Sequence, residues 1–397
     1  MKILHTSDWH VGKTLKGRSR LAEHAQVLNE LVGVATDQQV DLIVLSGDTF
    51  DTAAPSAEAE KLTWATLQRL SQIAPVVLLA GNHDGPVRFD AVAQLLELTN
   101  VHVASTIRRP DQGGVRTIDT AAGPARVALV PWLSQRYVVS AQQLMDLDPE
   151  QYETTFASRT RGVIDALCTG MDDSAVNLLV GHLTVVGRGG IALGGGERVA
   201  QTVLDYHLAP DVFPIALDYV ALGHIHRAQT LTGPTTIRYC GSPMSLDFGE
   251  AGRDPKGVDI VEVEPGRPAK VETVPLSGRP LLTLSGTVSE LVAQYQDLDV
   301  DAHLRLRVAE PPRHGLADEL RTQIPSAVEI RVDAAHDPSK AALSGVEQLD
   351  QDPAELFGEY LEQAGLDGRA ELAARFGELL ERVIAPGSSS TTSSKEA

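Results

Sequence analysis

Two cysteines in 397 residues, Cys168 and Cys240, are too few for a disulfide framework and lack the spacing of a thiolate metal site. Cys240 closes the strand-like stretch Thr236–Cys240 and is expected as a buried small hydrophobe. A cytoplasmic, nucleoid-associated protein without disulfides is the matching expectation. No apolar run is long enough to span a membrane. Met1-Lys2-Ile3-Leu4-His5 enters a strand at once, which leaves no room for a signal peptide. Basic residues are also scarce, 34 Lys and Arg against 53 Asp and Glu, for a net charge of −19 that argues against a wholly basic nucleic-acid binder. The glycine-rich stretch Arg188–Glu197 lacks both the Gly-Lys-Ser/Thr ending of a P-loop and the strand–turn–helix setting of G-x-G-x-x-G, so nothing points to ATP binding on this chain. It reads as a surface loop.

What is present is a 43% hydrophobic content, ample for a core, in a chain long enough for two or three domains. The charge is uneven. Residues 346–385 hold ten acidic side chains and three basic ones, whereas residues 1–20 hold Lys2, Lys13, Lys16, Arg18 and Arg20 against Asp8 alone. Global acidity therefore points to a partner for the C-terminal part and leaves the N-terminal part open to a phosphate polyanion.

Five polar clusters each close an apolar, β-rich run: Asp8-Trp9-His10, Gly47-Asp48, Gly81-Asn82-His83-Asp84, Gly181-His182 and Gly223-His224-Ile225-His226. The runs are Lys2–His5, Val40–Ser46, Val76–Ala80, Val176–Val180 and Tyr219–Leu222. Parallel strands of an α/β sheet deliver the residues after them to one rim, so these clusters are expected to converge. Singly each has an ordinary explanation: Gly-Asp marks many turns, and an Asp-x-His sits in many loops. Together they offer carboxylate, imidazole and amide donors, a set suited to Mn²⁺, Fe or Zn²⁺. Two cations at one site activate water and clamp a phosphate. Asp48 is the candidate bridge between them, and Asn82 adds an oxygen ligand without further negative charge. His83, on the same turn as Asn82, is free to act as acid or hydrogen-bond donor. Asp84 is expected to orient His83, its competing role being to stabilise the turn.

Strands and helices alternate from Met1 to Pro275, with helices expected over Ser19–Gln38, Ser56–Gln72, Arg88–Leu98 and Thr154–Cys168. Beyond lies a small α+β unit with strands Leu281–Leu284, Leu304–Val308 and Val328–Val332 and a helix over Leu316–Thr322. A polar linker then leads to two helices, Ala354–Ala364 and Arg369–Ile384. The first carries Phe357, Tyr360 and Leu361 on one face, and the second carries Leu372, Phe376 and Leu379 at heptad-like intervals. These six are the candidate partner-binding residues, the alternative being a hairpin that packs on its own domain. The expected division is a metal-site domain 1–275, a small domain 276–347, a linker and hairpin 348–386, and a disordered Ser/Thr-rich tail 387–397.

The five clusters, with the longer strings His5-Thr6-Ser7-Asp8-Trp9-His10, Gly47-Asp48-Thr49-Phe50-Asp51, Ala221-Leu222-Gly223-His224-Ile225-His226-Arg227 and Tyr239-Cys240-Gly241-Ser242-Pro243, resemble the calcineurin-like metallophosphoesterases, and within them the bacterial DNA nucleases that work with a coiled-coil ATPase. The resemblance is specific from Met1 to Val263 and architectural beyond. It implies a sandwich of two mixed sheets flanked by helices, a small α+β capping domain and a helical hairpin that docks on the ATPase. It implies one Mn²⁺ on Asp8, His10, Asp48 and His226, and another on Asp48, Asn82, His182 and His224, with His83 stabilising the transition state; other divalent cations fit the same donors. The implied activity is cleavage of DNA ends and hairpins, as a double-strand 3′→5′ exonuclease and single-strand endonuclease, in repair, recombination and replication. The implied assembly is two nuclease and two ATPase subunits, a homodimer of the chain by itself being the other expectation. Lys13, Lys16, Arg18, Arg20 and Arg88 are then candidates for sequence-independent phosphate contacts, the alternative being solvated surface charge. Two rival functions use the same residues: a phosphoesterase acting on small substrates, and a non-catalytic DNA-end scaffold.

Overall fold

The computed structural model describes residues 1–133, 156–187, 207–252 and 255–333, with single residues 138, 141, 145, 190, 192, 357, 361, 372, 373, 375 and 376. The chain opens with β1 (Lys2–Thr6), the two-residue strands β2 (Thr14–Leu15) and β3 (Arg18–Ser19), α1 (Leu21–Asp37), β4 (Leu42–Leu45), α2 (Ala57–Ser71), β5 (Val76–Leu79), α3 (Pro86–Glu97) and β6 (Val101–Ala104). It continues through β7 (Val115–Thr120), β8 (Gly123–Val130), α4 (Phe156–Cys168), β9 (Val176–His182), β10 (Tyr219–Gly223), β11 (Gln229–Leu231) and β12 (Thr236–Tyr239). β13 (Gly257–Glu262) and β14 (Lys270–Pro275) then return to the first sheet, whose order is β14-β13-β1-β4-β5-β6; the second is β11-β12-β10-β9-β8-β7.

The two sheets pack face to face as the inner layers of an α/β sandwich. Alternation along the strands assigns the layers. In β1 and β4, Ile3, Leu42 and Val44 join Val127, Leu129, Leu178 and Val180 of the second sheet in the core between the sheets. Their neighbours Leu4, Ile43 and Leu45 point the other way, under Leu28, Leu31 and Leu67 of α1 and α2. The second sheet is covered likewise by Val163, Ile164 and Leu167 of α4. Both inner strand sets are buried on both faces, which is why they read as continuous apolar runs rather than alternating ones.

Local signals explain most element starts. Ser56 caps α2, accepting the Ala59 amide, with Glu58 and Glu60 in the first turn. Pro86 opens α3 at a position where a proline loses no helical bond. Two helix starts differ from the sequence expectation. Ser19 belongs to β3 rather than to the helix, which begins at Leu21 behind Arg20, and α3 begins at Pro86 rather than Arg88.

A separate three-stranded sheet comes next, from β15 (Leu281–Gly286), α5 (Val288–Gln296), β16 (His303–Val308), α6 (Leu316–Gln323) and β17 (Ala327–Val332), in the order β15-β16-β17. The helix α5, with a Thr287–Glu290 capping box, was not expected from the periodicity. By contacts the chain divides into Met1–Arg331, which includes this small sheet, and Val332–Ala397. In the second unit the Phe357 and Phe376 rings stack with centroids 4.3 Å apart. Leu361 is buried and Leu372 exposed, so three of the six candidate partner-binding side chains are engaged within the chain. Tyr360, Leu379 and residues 387–397 lie outside the described residues.

Candidate metal centre

Asp8 and His10 follow β1, Asp48 follows β4, Asn82 and His83 follow β5, His182 ends β9, and His224 and His226 follow β10. All five strands deliver their residues to one rim, because β1, β4 and β5 run parallel in one sheet and β9 and β10 run parallel in the other. The loops are tied to one another before any side chain is considered. The Asp8 amide donates to the Gly47 carbonyl and the His10 amide to the Asp48 carbonyl, each at 3.0 Å. The His224 amide donates to the Asp8 carboxylate at 3.1 and 3.2 Å, which joins the two sheets.

The backbone there is strained. Asp8, His10, Asp48 and His224 adopt φ of +53°, +46°, +50° and +95°, a left-handed region that costs an L-residue roughly 1–2 kcal/mol. Two glycines allow the loops to approach. A Cβ on Gly81 would overlap the Asp48 carboxylate, and one on Gly223 would overlap the Ser46 carbonyl and the Ser7 hydroxyl.

Three groups of ligating atoms result, each within 4.8 Å mutually: Asp8, His10 and His226; His10, Asp48 and His83; Asp48, His182 and His224. Asp48 Oδ2 lies 3.5 Å from His10 Nε2 and 3.4 Å from His182 Nε2, between the two histidine groups. Asn82 Oδ1 lies 3.0 Å from His182 Nε2 and 2.9 Å from His224 Nδ1. His226 Nε2 faces Asp8 Oδ1 at 3.9 Å. Asp8, His10, Asp48, His182, His224 and His226 are buried, while Asn82 and His83 are partly exposed.

The donor set fits divalent cations. His182 donates its Nδ1 proton to the Ser46 carbonyl at 2.8 Å, so Nε2 of a neutral ring meets Asn82 and Asp48 oxygens, lone pair against lone pair. His10 Nε2 is buried with no hydrogen-bond partner among the described residues, its Nδ1 being held by Asp51 at 3.2 Å. A cation among these atoms satisfies them. The protonation balance points the same way. Burial pulls His182 down, but the Asp48 and Asp8 carboxylates outweigh it and hold the ring up at about 9, a proton on Nε2 then standing where a cation would replace it. Burial, with the neighbouring His182, pushes His224 down to about 3 and keeps that ring neutral, as a ligand must be.

Behind the ligands stand residues with no separate signal in the sequence. Asp51 holds His10 Nδ1 and pairs with Lys13 Nζ at 3.0 Å. Glu250 holds His226 Nδ1 at 2.9 Å and pairs with Lys256 Nζ at 2.7 Å. Burial raises Glu250, but its bonds to His226 and Lys256 bring it down to about 2. Trp132 lies against His224 and His182, with ring centroids 4.9 and 6.0 Å away. Asp51 ends the Gly47–Asp51 string, but its partner His10 is 41 residues away; Glu250 and Lys256 lie in a stretch with no motif at all.

Two sequence expectations need correction. Asp84 does not orient His83. Its carboxylate accepts the amides of Thr49, Phe50 and Gly81 at 3.1, 2.9 and 2.9 Å and so takes the competing role, fastening the turn to the Asp48 loop. Burial and the neighbouring Asp48 push this carboxyl up to about 7 against those three amides. His83 is oriented instead by the Asp51 carbonyl, 2.8 Å from Nδ1.

The second correction concerns the basic residues. Arg20 is buried, its guanidinium on Glu23 and on the Ser245 carbonyl at 2.7 Å, out of reach of any phosphate. Arg18 donates to the Pro325 and Ala327 carbonyls at 2.9 and 3.0 Å, and Lys16 pairs with Glu329 at 3.3 Å, so both grip the small sheet. Arg88 pairs with Glu60. Lys13, paired with Asp51 and about a quarter exposed, is the one of the five that stands beside the site.

Residues 1–228 match the family described as calcineurin-like phosphoesterase. Three similar proteins are SbcD subunits of the nuclease SbcCD. That of Bacillus subtilis (strain 168) is 34% identical over 347 residues, 83% of this chain and 85% of that protein. That of Rhodobacter capsulatus is 35% identical over 276 residues, 67% of each chain. That of Escherichia coli (strain K12) is 33% identical over 309 residues, 75% of this chain and 74% of that protein.

Proposed function

The chain belongs to the calcineurin-like phosphoesterases, within them to the SbcD subunits, and is a metal-dependent phosphodiesterase; from that premise we propose that it is the Mn²⁺-dependent nuclease subunit of an SbcCD complex, cutting DNA ends and hairpins under the control of the SbcC ATPase. The observation that carries this reading is the sharing of Asp48 between two ligand groups, with His83 beside them.

In this reading Asp8, His10, Asp48 and His226 hold one cation, and Asp48, Asn82, His182 and His224 the other. The bound pair supplies a nucleophile from water at neutral pH and neutralises the phosphate. The protein's own contribution is positional. The His83 amide donates to Asp48 Oδ1 at 2.8 Å and fixes the shared carboxylate. The Asp51 carbonyl engages His83 Nδ1, which leaves Nε2 as the ring atom that exchanges a proton with the departing oxygen. Cytoplasmic location and a part in repair and recombination belong to the same reading. The hairpin 348–386 is assigned to SbcC, in an assembly of two SbcD and two SbcC. The exposed Val87 and Leu95 of α3, with Leu98 just past its end, are apolar area available for pairing of two SbcD copies.

The test is cleavage of end-labelled blunt and hairpin DNA in Mn²⁺, wild type against His83→Ala, each with and without SbcC and ATP. The expected result is a loss of roughly 10²–10⁴-fold in the variant with both ions still bound, and dependence of the wild type on SbcC and ATP. Cleavage unchanged by His83→Ala rejects the role of that ring. Cleavage of a chromogenic diester but of no DNA substrate rejects the nuclease in favour of a small-phosphoester enzyme.

A further inference from the structure

Glu250 lies beyond residues 1–228 of the family match and outside every motif named above, yet its carboxylate is fully buried. A buried carboxylate is costly unless each lone pair finds a donor and its charge a counter-ion. Oε2 meets both needs, taking Lys256 Nζ at 2.7 Å, the Leu246 amide at 3.1 Å and the Ser242 hydroxyl at 3.4 Å. Oε1 is left for the Nδ1–H of His226, 2.9 Å away. Lys256 closes the arrangement, since the same ammonium donates to the His226 carbonyl at 2.7 Å and to the Ser242 hydroxyl at 2.8 Å. One lysine thus holds the main chain of His226 and the carboxylate that grips its ring.

We propose that Glu250 and Lys256 are positioning residues for one metal subsite, that of Asp8, His10 and His226. Together they fix the His226 ring with Nδ1 protonated and Nε2 presented to the cation. The inference rests on the reading of His226 as a ligand. A carboxylate on the far nitrogen of a ligating imidazole sets its tautomer and raises its donor strength. His10 in the same subsite has a matching brace, Asp51 paired with Lys13. The other subsite is built differently, with His182 Nδ1 on the Ser46 carbonyl and His224 Nδ1 beside Asn82. Loss of the Glu250 charge therefore weakens one ion and leaves the other alone. A role confined to holding the Ser242–Glu250 loop would lower stability without that selectivity.

The experiment is titration of the metal-free full chain with Mn²⁺, free Mn²⁺ being read from its electron paramagnetic resonance signal, with thermal unfolding in parallel. Wild type is expected to take up two ions. Glu250→Gln is expected to keep one at unchanged affinity and to hold the other about 10–100-fold more weakly. Lys256→Gln shifts the same ion in the same direction, and Lys256→Arg restores it. Should Glu250→Gln fail to fold, the lysine pair of variants carries the test. Unchanged affinity for both ions in Glu250→Gln, or equal weakening of both with a lowered melting temperature, overturns the proposal while leaving the two-metal reading intact. A wild type that binds fewer than two ions rejects the two-metal reading itself, and the proposal with it.

Discussion

At the scale of single residues, the candidate metal centre is held in a backbone conformation that L-residues disfavour. Four candidate ligand residues have positive φ, and such strain persists where the surroundings over-determine it. Gly81 is part of those surroundings, because the Asp48 carboxylate occupies the space a Cβ would need. Gly81→Ala is therefore expected to displace the Asp48 carboxylate and abolish binding of both Mn²⁺ ions, measured by the same titration; retention of both would show that the loop gives way freely. Asp84 fastens the same turn through the three amides it accepts. Asp84→Asn leaves buried amides short of an acceptor and should lower the unfolding free energy by roughly 1–3 kcal/mol, read from denaturant unfolding. A variant as stable as wild type yet inactive would return Asp84 to a catalytic role.

At the scale of elements, the basic residues after the first metal cluster form a bracket. Arg18 and Lys16 on the β2–β3 hairpin grip β17, and Glu23 on the first turn of α1 accepts the Arg279 amide at 3.1 Å and contacts His303 Nε2 of β16 at 3.2 Å. The reversal Arg20→Glu breaks a buried ion pair and is expected to cost about 3–5 kcal/mol, seen as a large fall in melting temperature. Arg18→Glu should loosen amide-exchange protection of residues 303–332 and leave the salt dependence of DNA binding unchanged. A flattened salt dependence instead would restore Arg18 as a phosphate contact. Glu23 gives this bracket a pH limit. Burial raises its carboxyl, but Arg20 and His303 bring it down from 4.5 to about 2. A depressed carboxyl stabilises the fold fully above its unfolded value and loses that contribution as pH falls through the folded one. The stability difference between wild type and Glu23→Gln should thus be constant above about pH 5 and shrink between about pH 4.5 and 2. A difference independent of pH across that window would rule out the charge as its source.

At the scale of the molecule, the chain divides into two units. Met1–Arg331 contains every candidate ligand, and Val332–Ala397 contains the acidic stretch in which the sequence predicts a helical hairpin. Deleting residues 348–386 is expected to leave two Mn²⁺ ions bound and to abolish co-purification with SbcC; persistent co-purification would move the interface to the first unit. In the second unit, Phe357 and Phe376, both candidate partner-binding residues by sequence, stack on each other. Spacing along a helix gives a face and not what covers it. Among the described residues no helix is long and apolar enough to cross a membrane.

The candidate ligands were legible in the chain because each is local: a short polar cluster at the end of an apolar strand, often behind a glycine, carries its own signature. The alternating strands and capped helices were legible for the same reason, since their causes lie within a few residues. The supports of the site were not. Arg18 meets carbonyls 307 and 309 residues away, Glu250 reaches back 24 residues to His226, and Asp84 finds its amides 34 and 35 residues earlier as well as on its own turn. A charged side chain reads the same in sequence whether it meets a phosphate, a carboxylate or water. The sequence by itself therefore determined which residues are candidates to hold metal, and only the tertiary structure decided which charges are consumed in holding those residues still, because pairing depends on distances that folding alone creates.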